Sequence, residues 1–86
     1  MIKTKKETKK LIGDLTLVLS ALTGWQEESK KNPGGKIYRT WKGYKFEVTN
    51  ELEDQKLIQS FPGYKSMLVT PNGLEKAQAI IDDLGL

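Results

Sequence analysis

The stretch from Tyr44 to Thr70, YKFEVTNELEDQKLIQSFPGYKSMLVT, contains the pattern that decides the predicted fold. Tyr44, Val48 and Leu52 recur every four residues, which is the spacing of one face of a helix. The other face carries Glu47, Asn50, Glu51 and Asp54, although Phe46 also lies on the opposite side of an ideal helix. The pattern therefore predicts a helix over residues 45–56, with one apolar face directed toward a core.

A β-hairpin is predicted directly after this helix, over residues 57–61 and 64–69. The two segments are largely apolar and are separated by Pro62-Gly63. Proline presets the first central position of a type II turn, and glycine permits the positive φ that the second position needs. The chain is therefore expected to reverse direction at this dipeptide.

A helix is predicted on each side of this central stretch. Downstream, Thr70 can cap a helix and Pro71 suits its first position, and an apolar stripe continues to Leu84. Upstream, a helix is expected from about Glu7 to Gly24, with a wide apolar stripe formed by Leu11, Ile12, Leu15, Val18, Leu19 and Leu22. Either this helix lies centrally in the core, or it also packs in a homodimer.

The segment between the first two helices is less regular. Residues 26–35 are expected to form a loop, because they end in a proline followed by two glycines. Residues 36–43, KIYRTWKG, fit two structures: Ile37 and Trp41 share one face of a helix, and they also share one side of a strand with Arg39.

Composition limits the function. The 86 residues are enough for one small domain, predicted over residues 7–86 after a flexible basic tail at 1–6. The chain has no Cys and no His, so we predict no enzyme, no catalytic residue, no cofactor and no metal site. The apolar segment 15–22 is too short for a membrane span and lacks a signal-peptide cleavage site, which predicts a cytoplasmic protein without membrane contact.

Charge is distributed unevenly along the chain. Residues 1–45 hold eleven Lys or Arg and four acids, a formal +7, whereas residues 46–86 hold three bases and seven acids, a formal −4. A basic front half can attract phosphates, although a solvated Lys-rich tail explains it equally well.

Two local motifs resemble known proteins. Leu52-Glu53-Asp54-Gln55-Lys56-Leu57-Ile58 resembles the end of a winged-helix recognition helix, and Val69-Thr70-Pro71-Asn72-Gly73-Leu74-Glu75-Lys76-Ala77 is similar to the start of the helix after the wing in bacterial regulators of the MarR and PadR kinds. The resemblance covers about residues 44–84. It implies an α+β winged helix-turn-helix with three to four helices and a two-stranded, or three-stranded, antiparallel wing. On that basis residues 36–43 are predicted to be a short helix, with Gly43 in the turn.

The chain also resembles a family of short bacterial proteins with a Trp-Lys-Gly-Tyr segment, here Trp41-Lys42-Gly43-Tyr44, which implies no particular function. It departs from the winged-helix pattern at Lys56, where Gly is usual. A left-handed Lys would cost on the order of 1 kcal/mol relative to Gly.

The resemblance implies double-stranded DNA as the ligand and transcriptional regulation as the role. The predicted contacts are phosphates at the basic residues and bases at two polar residues of the recognition helix: Arg39, Lys42, Lys45 and Lys65 for phosphates, and Thr49 and Asn50 for bases. Residues 45–56 carry two bases and four acids, which opposes docking between rows of phosphates. The alternative is a protein-interaction module on the same scaffold, without direct DNA binding, and a homodimer fits either hypothesis.

Overall fold

The computed structural model of this protein describes residues 3, 7–29 and 34–85. Within these residues the chain has an α+β fold with three helices and one four-stranded antiparallel sheet. The elements in chain order are α1 (Thr8–Thr23), β1 (Trp25–Glu28), β2 (Lys36–Trp41), α2 (Phe46–Asp54), β3 (Ile58–Ser60), β4 (Ser66–Val69) and α3 (Pro71–Leu84). The predicted flexible tail lies outside the described residues except for Lys3. None of the described helices is long and apolar enough to cross a bilayer.

The sheet has the strand order β1-β2-β4-β3. Successive side chains of a strand point to opposite faces, so each strand contributes to an inner and an outer face. The inner face packs against the helices around one core, formed by Leu17, Leu52, Leu57, Ile58, Met67, Val69 and Ala77. The outer face carries the alternate residues of the same strands.

The prediction of a short helix over residues 36–43 is wrong. Residues 36–41 form β2, which pairs with β1 on one side and β4 on the other. The predicted loop after α1 likewise contains β1. The two- or three-stranded wing is therefore a four-stranded sheet, and the predicted helix-turn-helix pair is absent from the described residues. Pairing between segments distant in sequence decided the structure where the local pattern fitted both helix and strand.

The predictions for the second half of the chain are confirmed in their element types. α2 lies within the predicted helix, β3 and β4 form the predicted hairpin, and α3 begins at Pro71. The reversal between β3 and β4 occurs at Pro62-Gly63, where the amide of Tyr64 donates to the carbonyl of Phe61 over 3.3 Å. Gly63 has φ of 83°, as the type II turn requires.

The end of α2 is closed by two backbone hydrogen bonds of the Schellman type. The amide of Leu57 donates to the carbonyl of Leu52 over 3.0 Å, and that of Lys56 donates to Glu53 over 2.9 Å. Lys56 holds the left-handed position between them, with φ of 62°. Leu52 and Leu57 are both buried in the core, which is the apolar contact that accompanies this motif.

The start of α3 is fixed against the same turn. Thr70 Oγ1 accepts from the amide of Gly73 over 3.0 Å, which is the predicted N-cap. The same hydroxyl lies within donating distance of the Lys56 and Leu57 carbonyls, at 2.7 and 3.0 Å. Gly73 is buried, and a Cβ there would overlap the Leu57 carbonyl oxygen. The first turn of α3 can therefore contact the end of α2 only with glycine at this position.

The end of α1 is joined to β2 in a similar way. The hydroxyl of Tyr38 donates to the carbonyl of Ala21 in the last turn of α1. A Cβ at Gly24 would overlap the Tyr38 ring and the Arg39 carbonyl oxygen. Gly24 ends the helix, as predicted, and its lack of a side chain lets β2 pass close by.

We expect Lys56→Gly to stabilise the protein by about 1 kcal/mol, because glycine adopts the left-handed conformation without steric cost. Urea denaturation followed by circular dichroism measures this gain as a higher midpoint. Lys56→Ala is the matched control, because it removes the long side chain but keeps the Cβ. An equal gain for alanine would show that the backbone conformation is not the source.

We expect Gly73→Ala to destabilise the protein by about 2 kcal/mol or more, since the added Cβ overlaps the Leu57 carbonyl. Gly13→Ala in α1 is the matched control, because a Cβ there contacts nothing. In the middle of a helix this second change should stabilise by roughly 0.5–1 kcal/mol. Thermal and urea unfolding of both variants should give opposite signs, and a neutral Gly73→Ala would contradict the close approach.

Candidate functional site

The outer sheet face is the surface of the sheet opposite the core. Strand register puts directly opposed residues on the same face, and Arg39 of β2 is opposite Trp25 of β1 and Leu68 of β4. We define the outer sheet face by the residues that follow from this register, together with the two aromatic residues at the β3–β4 turn: Trp25, Glu27, Ile37, Arg39, Trp41, Gln59, Phe61, Tyr64, Ser66 and Leu68.

Four of the seven aromatic residues, including both tryptophans, lie on this face. The Trp25 and Trp41 rings are 4.9 Å apart between centroids, and Phe61 and Tyr64 pack edge to face at 6.0 Å. Trp41 and Tyr64 are each 61% exposed. Clustered exposed aromatic rings are typical of binding surfaces, since a domain that needed them only for stability would bury them.

A hydrogen-bonded network fixes the side chains at the centre of this face. The Glu27 carboxylate accepts from Arg39 Nε over 2.8 Å through Oε2, and from Trp25 Nε1 over 2.9 Å through Oε1. Arg39 Nη1 also donates to Ser66 Oγ over 3.2 Å. The Arg39 side chain is only 23% exposed, and the network fixes the orientations of Trp25 and Arg39.

Two lysines form the basic rim of the outer sheet face, which we define as Lys42 and Lys65. The amide of Lys42 donates to the carbonyl of Lys65 over 2.9 Å, so the two residues are adjacent. Lys42 Nζ donates to the Phe61 carbonyl over 2.9 Å. Both residues directly follow an exposed aromatic residue, Trp41 and Tyr64, so cationic groups lie beside exposed rings.

The end of the hairpin that carries Phe61 is tied to α2 by Glu53. Glu53 Oε2 accepts from the amide of Ser60 over 2.9 Å and from Ser60 Oγ over 2.6 Å. The Ser60 hydroxyl bond, then the Ser60 amide bond, and to a smaller extent the charge of Lys42, lower the pKa of the Glu53 carboxyl below its ordinary 4.5. The ionised carboxylate therefore stabilises this end of the sheet.

A shallow groove crosses the outer sheet face beside these groups. It has a volume of about 590 Å³, and its lining includes Arg39, Phe61, Tyr64 and Leu68. The lining mixes apolar and polar side chains, and two acids, Glu27 and Glu28, lie along it. Among residues 7–29 and 34–85, no group of three or more acidic side chains is arranged to hold a metal ion.

The structure brings together three of the six residues predicted to contact DNA. Arg39, Lys42 and Lys65 all lie at the end of the sheet that carries the exposed aromatic rings. The other three belong to the start and the exposed side of α2: Lys45, Thr49 and Asn50.

The exposed side of α2 is mainly acidic. Glu47, Glu51 and Asp54 are exposed on it, together with Asn50. The Thr49 hydroxyl donates to the Phe46 carbonyl of its own helix over 3.1 Å. It therefore cannot donate the same hydrogen to a base or a phosphate. Asn50 is thus surrounded by carboxylates, which is unfavourable for a helix in the major groove.

Sequence reasoning missed Trp25, Phe61 and Tyr64 as parts of the site. The sequence feature that indicated this surface is the alternation of residues 37, 39 and 41, which fits a strand with one outward face. This alternation does not show which strands pair with residues 36–41. The aromatic residues on the neighbouring strands could therefore not be assigned to the same surface.

A family described as Domain of unknown function (DUF6429) matches residues 8–86. No curated protein and no solved structure matches the chain significantly.

The Glu53 contact predicts a pH dependence of stability. Because folding lowers the pKa of Glu53, its contribution is fully present above its ordinary 4.5 and is lost as pH falls through the lower folded value. Glu53→Gln should therefore reduce stability at neutral pH, and its difference from the wild type should shrink below pH 4.5. Urea midpoints across pH test this, with the exposed neighbour Asp54→Asn as control. A pH-independent difference would contradict the assignment.

Proposed function

The chain belongs to the DUF6429 family, and we propose that it is a small, non-catalytic nucleic-acid-binding protein whose contact surface is the outer sheet face. The proposal keeps nucleic acid as the ligand but moves the contact from α2 to the sheet. It favours single-stranded DNA or RNA over duplex DNA.

One observation carries this proposal: two exposed aromatic rings, Trp41 and Tyr64, lie next to the basic rim. Proteins that bind single strands combine aromatic side chains, on which bases stack, with cations that track the phosphates. Here the rings and the cations alternate in sequence, as Trp41-Lys42 and Tyr64-Lys65, and the backbone hydrogen bond between the lysines brings both pairs to one place. Stacking needs exposed ring faces, which duplex recognition by a helix does not.

The charge distribution supports the sheet over α2 as the contact. The exposed side of α2 carries Glu47, Glu51 and Asp54, and duplex phosphates flank any helix in the major groove. The rim adds Lys42 and Lys65 to the partly buried Arg39, whose charge is partly offset by Glu27. Transcriptional regulation at a duplex operator is therefore the weaker form of the hypothesis.

We also propose a winged-helix-like relationship for the second half of the chain. The order α2, β3, turn, β4, α3 follows the predicted order of recognition helix, wing and following helix. The Schellman-type end of α2 and the capped start of α3 occur at the two motifs that carry the resemblance. In chain order, β1 and β2 occupy the place of the first of the two helices of a helix-turn-helix.

A protein-interaction module without nucleic-acid binding is the second candidate. It is favoured by the acidic side of α2 together with Phe46, which is 76% exposed at the start of that helix. An exposed ring beside carboxylates suits a basic, apolar peptide. The nucleic-acid assay separates the two candidates, because this surface would repel phosphates.

Fluorescence anisotropy with labelled single-stranded DNA, single-stranded RNA and random duplex DNA tests the proposal at increasing salt. We expect a single strand to bind more tightly than duplex, with affinity falling as salt rises. Trp41→Ala should weaken binding roughly 5- to 100-fold, which corresponds to about 1–3 kcal/mol for one stacked base. Lys65→Glu should weaken binding and flatten the salt dependence.

Phe46→Ala is the matched control, because it removes an exposed ring from α2 and should leave binding unchanged. No binding of any nucleic acid at low salt would overturn the proposal and leave the protein-interaction candidate. Preference for duplex together with loss of binding in Asn50→Ala would return the contact to α2.

A further inference from the structure

A row of exposed aliphatic side chains runs along α1. Ile12, Leu15, Leu19 and Leu22 are between 46% and 66% exposed, whereas Leu17 on the opposite side of the helix is fully buried. We call these four residues the α1 stripe. Four large aliphatic residues in one row on a surface helix are more than the scattered exposure normal for a monomer.

The spacing of the α1 stripe is that of a coiled-coil seam. Its members are separated by three, four and three residues, as the a and d positions of a heptad are. Leu17 then falls at the position farthest from the seam, which is where the core contact lies. One face of α1 thus builds the core, and the other repeats the pattern that helices use to pack on each other.

We propose that the α1 stripe is the interface of a homodimer in which α1 packs antiparallel against α1 of a second copy. A two-fold interface requires a surface that is complementary to itself. The order of spacings in the stripe is the same in both directions. A two-fold axis between Leu15 and Leu19 therefore brings Ile12 of each copy opposite Leu22 of the other, without a gap or an unmatched residue.

The charges of α1 favour the antiparallel orientation. The first turn of the helix contains no acid and the last turn contains no base, whereas Lys9 and Lys10 lie in the first turn. These lysines oppose the positive N-terminal end of the helix dipole. Lys9 also pairs with Glu51 of α2 over 3.4 Å, at the surface. Antiparallel packing brings Lys9 toward the uncompensated C-terminal turn of the second copy, whereas parallel packing would bring the lysine-bearing ends of both helices together.

The area of the surface fits a dimer that depends on concentration. Four half-exposed aliphatic side chains contribute on the order of 400 Å², about half of the 800 Å² that each partner buries in a standard interface. A largely apolar groove of about 690 Å³ between α1 and α2 continues the surface from Ile12 and Thr16 to Tyr44 and Val48. The groove extends the seam, but the interface stays smaller than a standard one, which fits a weak dimer.

The dimer leaves the proposed nucleic-acid surface free. The helices cover the inner face of the sheet, so an interface on the far side of α1 lies away from the outer sheet face. Two copies would then present two outer sheet faces to one strand. This proposal stands independently of the ligand of that face, because it rests only on α1.

Sedimentation equilibrium over a range of protein concentrations tests the association. We expect a monomer–dimer equilibrium, and we expect Leu19→Glu to raise the dimer Kd roughly a hundredfold, because each carboxylate would be buried opposite Leu15 of the other copy. Leu19 is half exposed, so circular dichroism should show an intact fold. Tyr64→Ser is the control, because it removes a more exposed aromatic side chain from the outer sheet face, away from α1, and should leave the Kd unchanged. A wild-type monomer at every concentration, or a dimer insensitive to Leu19→Glu, would overturn the proposal.

Disulfide cross-linking tests the orientation, and the absence of native cysteine makes single-cysteine variants specific. In the antiparallel dimer an equimolar mixture of Ile12→Cys and Leu22→Cys should form a mixed cross-linked dimer. Ile12→Cys alone should not cross-link, because ten helical residues separate the two sulfurs by about 15 Å, beyond disulfide reach. Cross-linking of Ile12→Cys with itself, and none in the mixture, would refute antiparallel packing.

Discussion

The carbonyl oxygen of Leu57 is the point on which the arrangement of the second half depends. It accepts from the Thr70 amide over 3.0 Å, lies against the Thr70 hydroxyl, and leaves no room for a side chain at Gly73. The same turn contains Lys56 in the left-handed conformation that lets Leu57 enter the core. One short turn thus sets where α2 ends, where β3 begins and where α3 starts. Moving any of these elements would either leave buried backbone groups without hydrogen-bond partners or separate Leu57 from Leu52.

This constraint explains why the two faces of the sheet have different roles. With the end of α2 and the start of α3 held together at the open end of the hairpin, the helices cover the inner face and bury Met67 and Val69. The alternate residues of the same strands must then face outward, whatever their chemistry. Evolution of a binding surface requires only changes at outward positions, because these do not alter the core. Trp25 and Trp41 occupy such positions. Their rings pack together at 4.9 Å, and Trp25 is also hydrogen-bonded to Glu27.

Much of the second half could be predicted because its signals are local. The four-residue spacing of Tyr44, Val48 and Leu52, the Pro62-Gly63 turn and the Thr70 cap each specify structure within a few residues. The segment 36–41 could not be assigned, because its local pattern fits a helix and a strand equally. Its strand state arises from pairing with β1 and β4, which lie up to about thirty residues away. The candidate site depends on this pairing, so only three of the six predicted contact residues, Arg39, Lys42 and Lys65, lie in it.

The sequence by itself determined the element types from residue 46 onward, the glycine and proline positions of the turns, and the width of the apolar stripe on α1. It also determined the charge separation, with a basic front half and an acidic α2. The tertiary structure alone decided that Leu17, outside the predicted stripe, is fully buried, whereas most of the stripe, including Leu19, is exposed. It alone brought Lys42 beside Lys65 and both beside exposed rings. The physical reason is that propensity and capping act along the chain, whereas strand pairing and burial join residues distant in sequence, whose contacts no local pattern encodes.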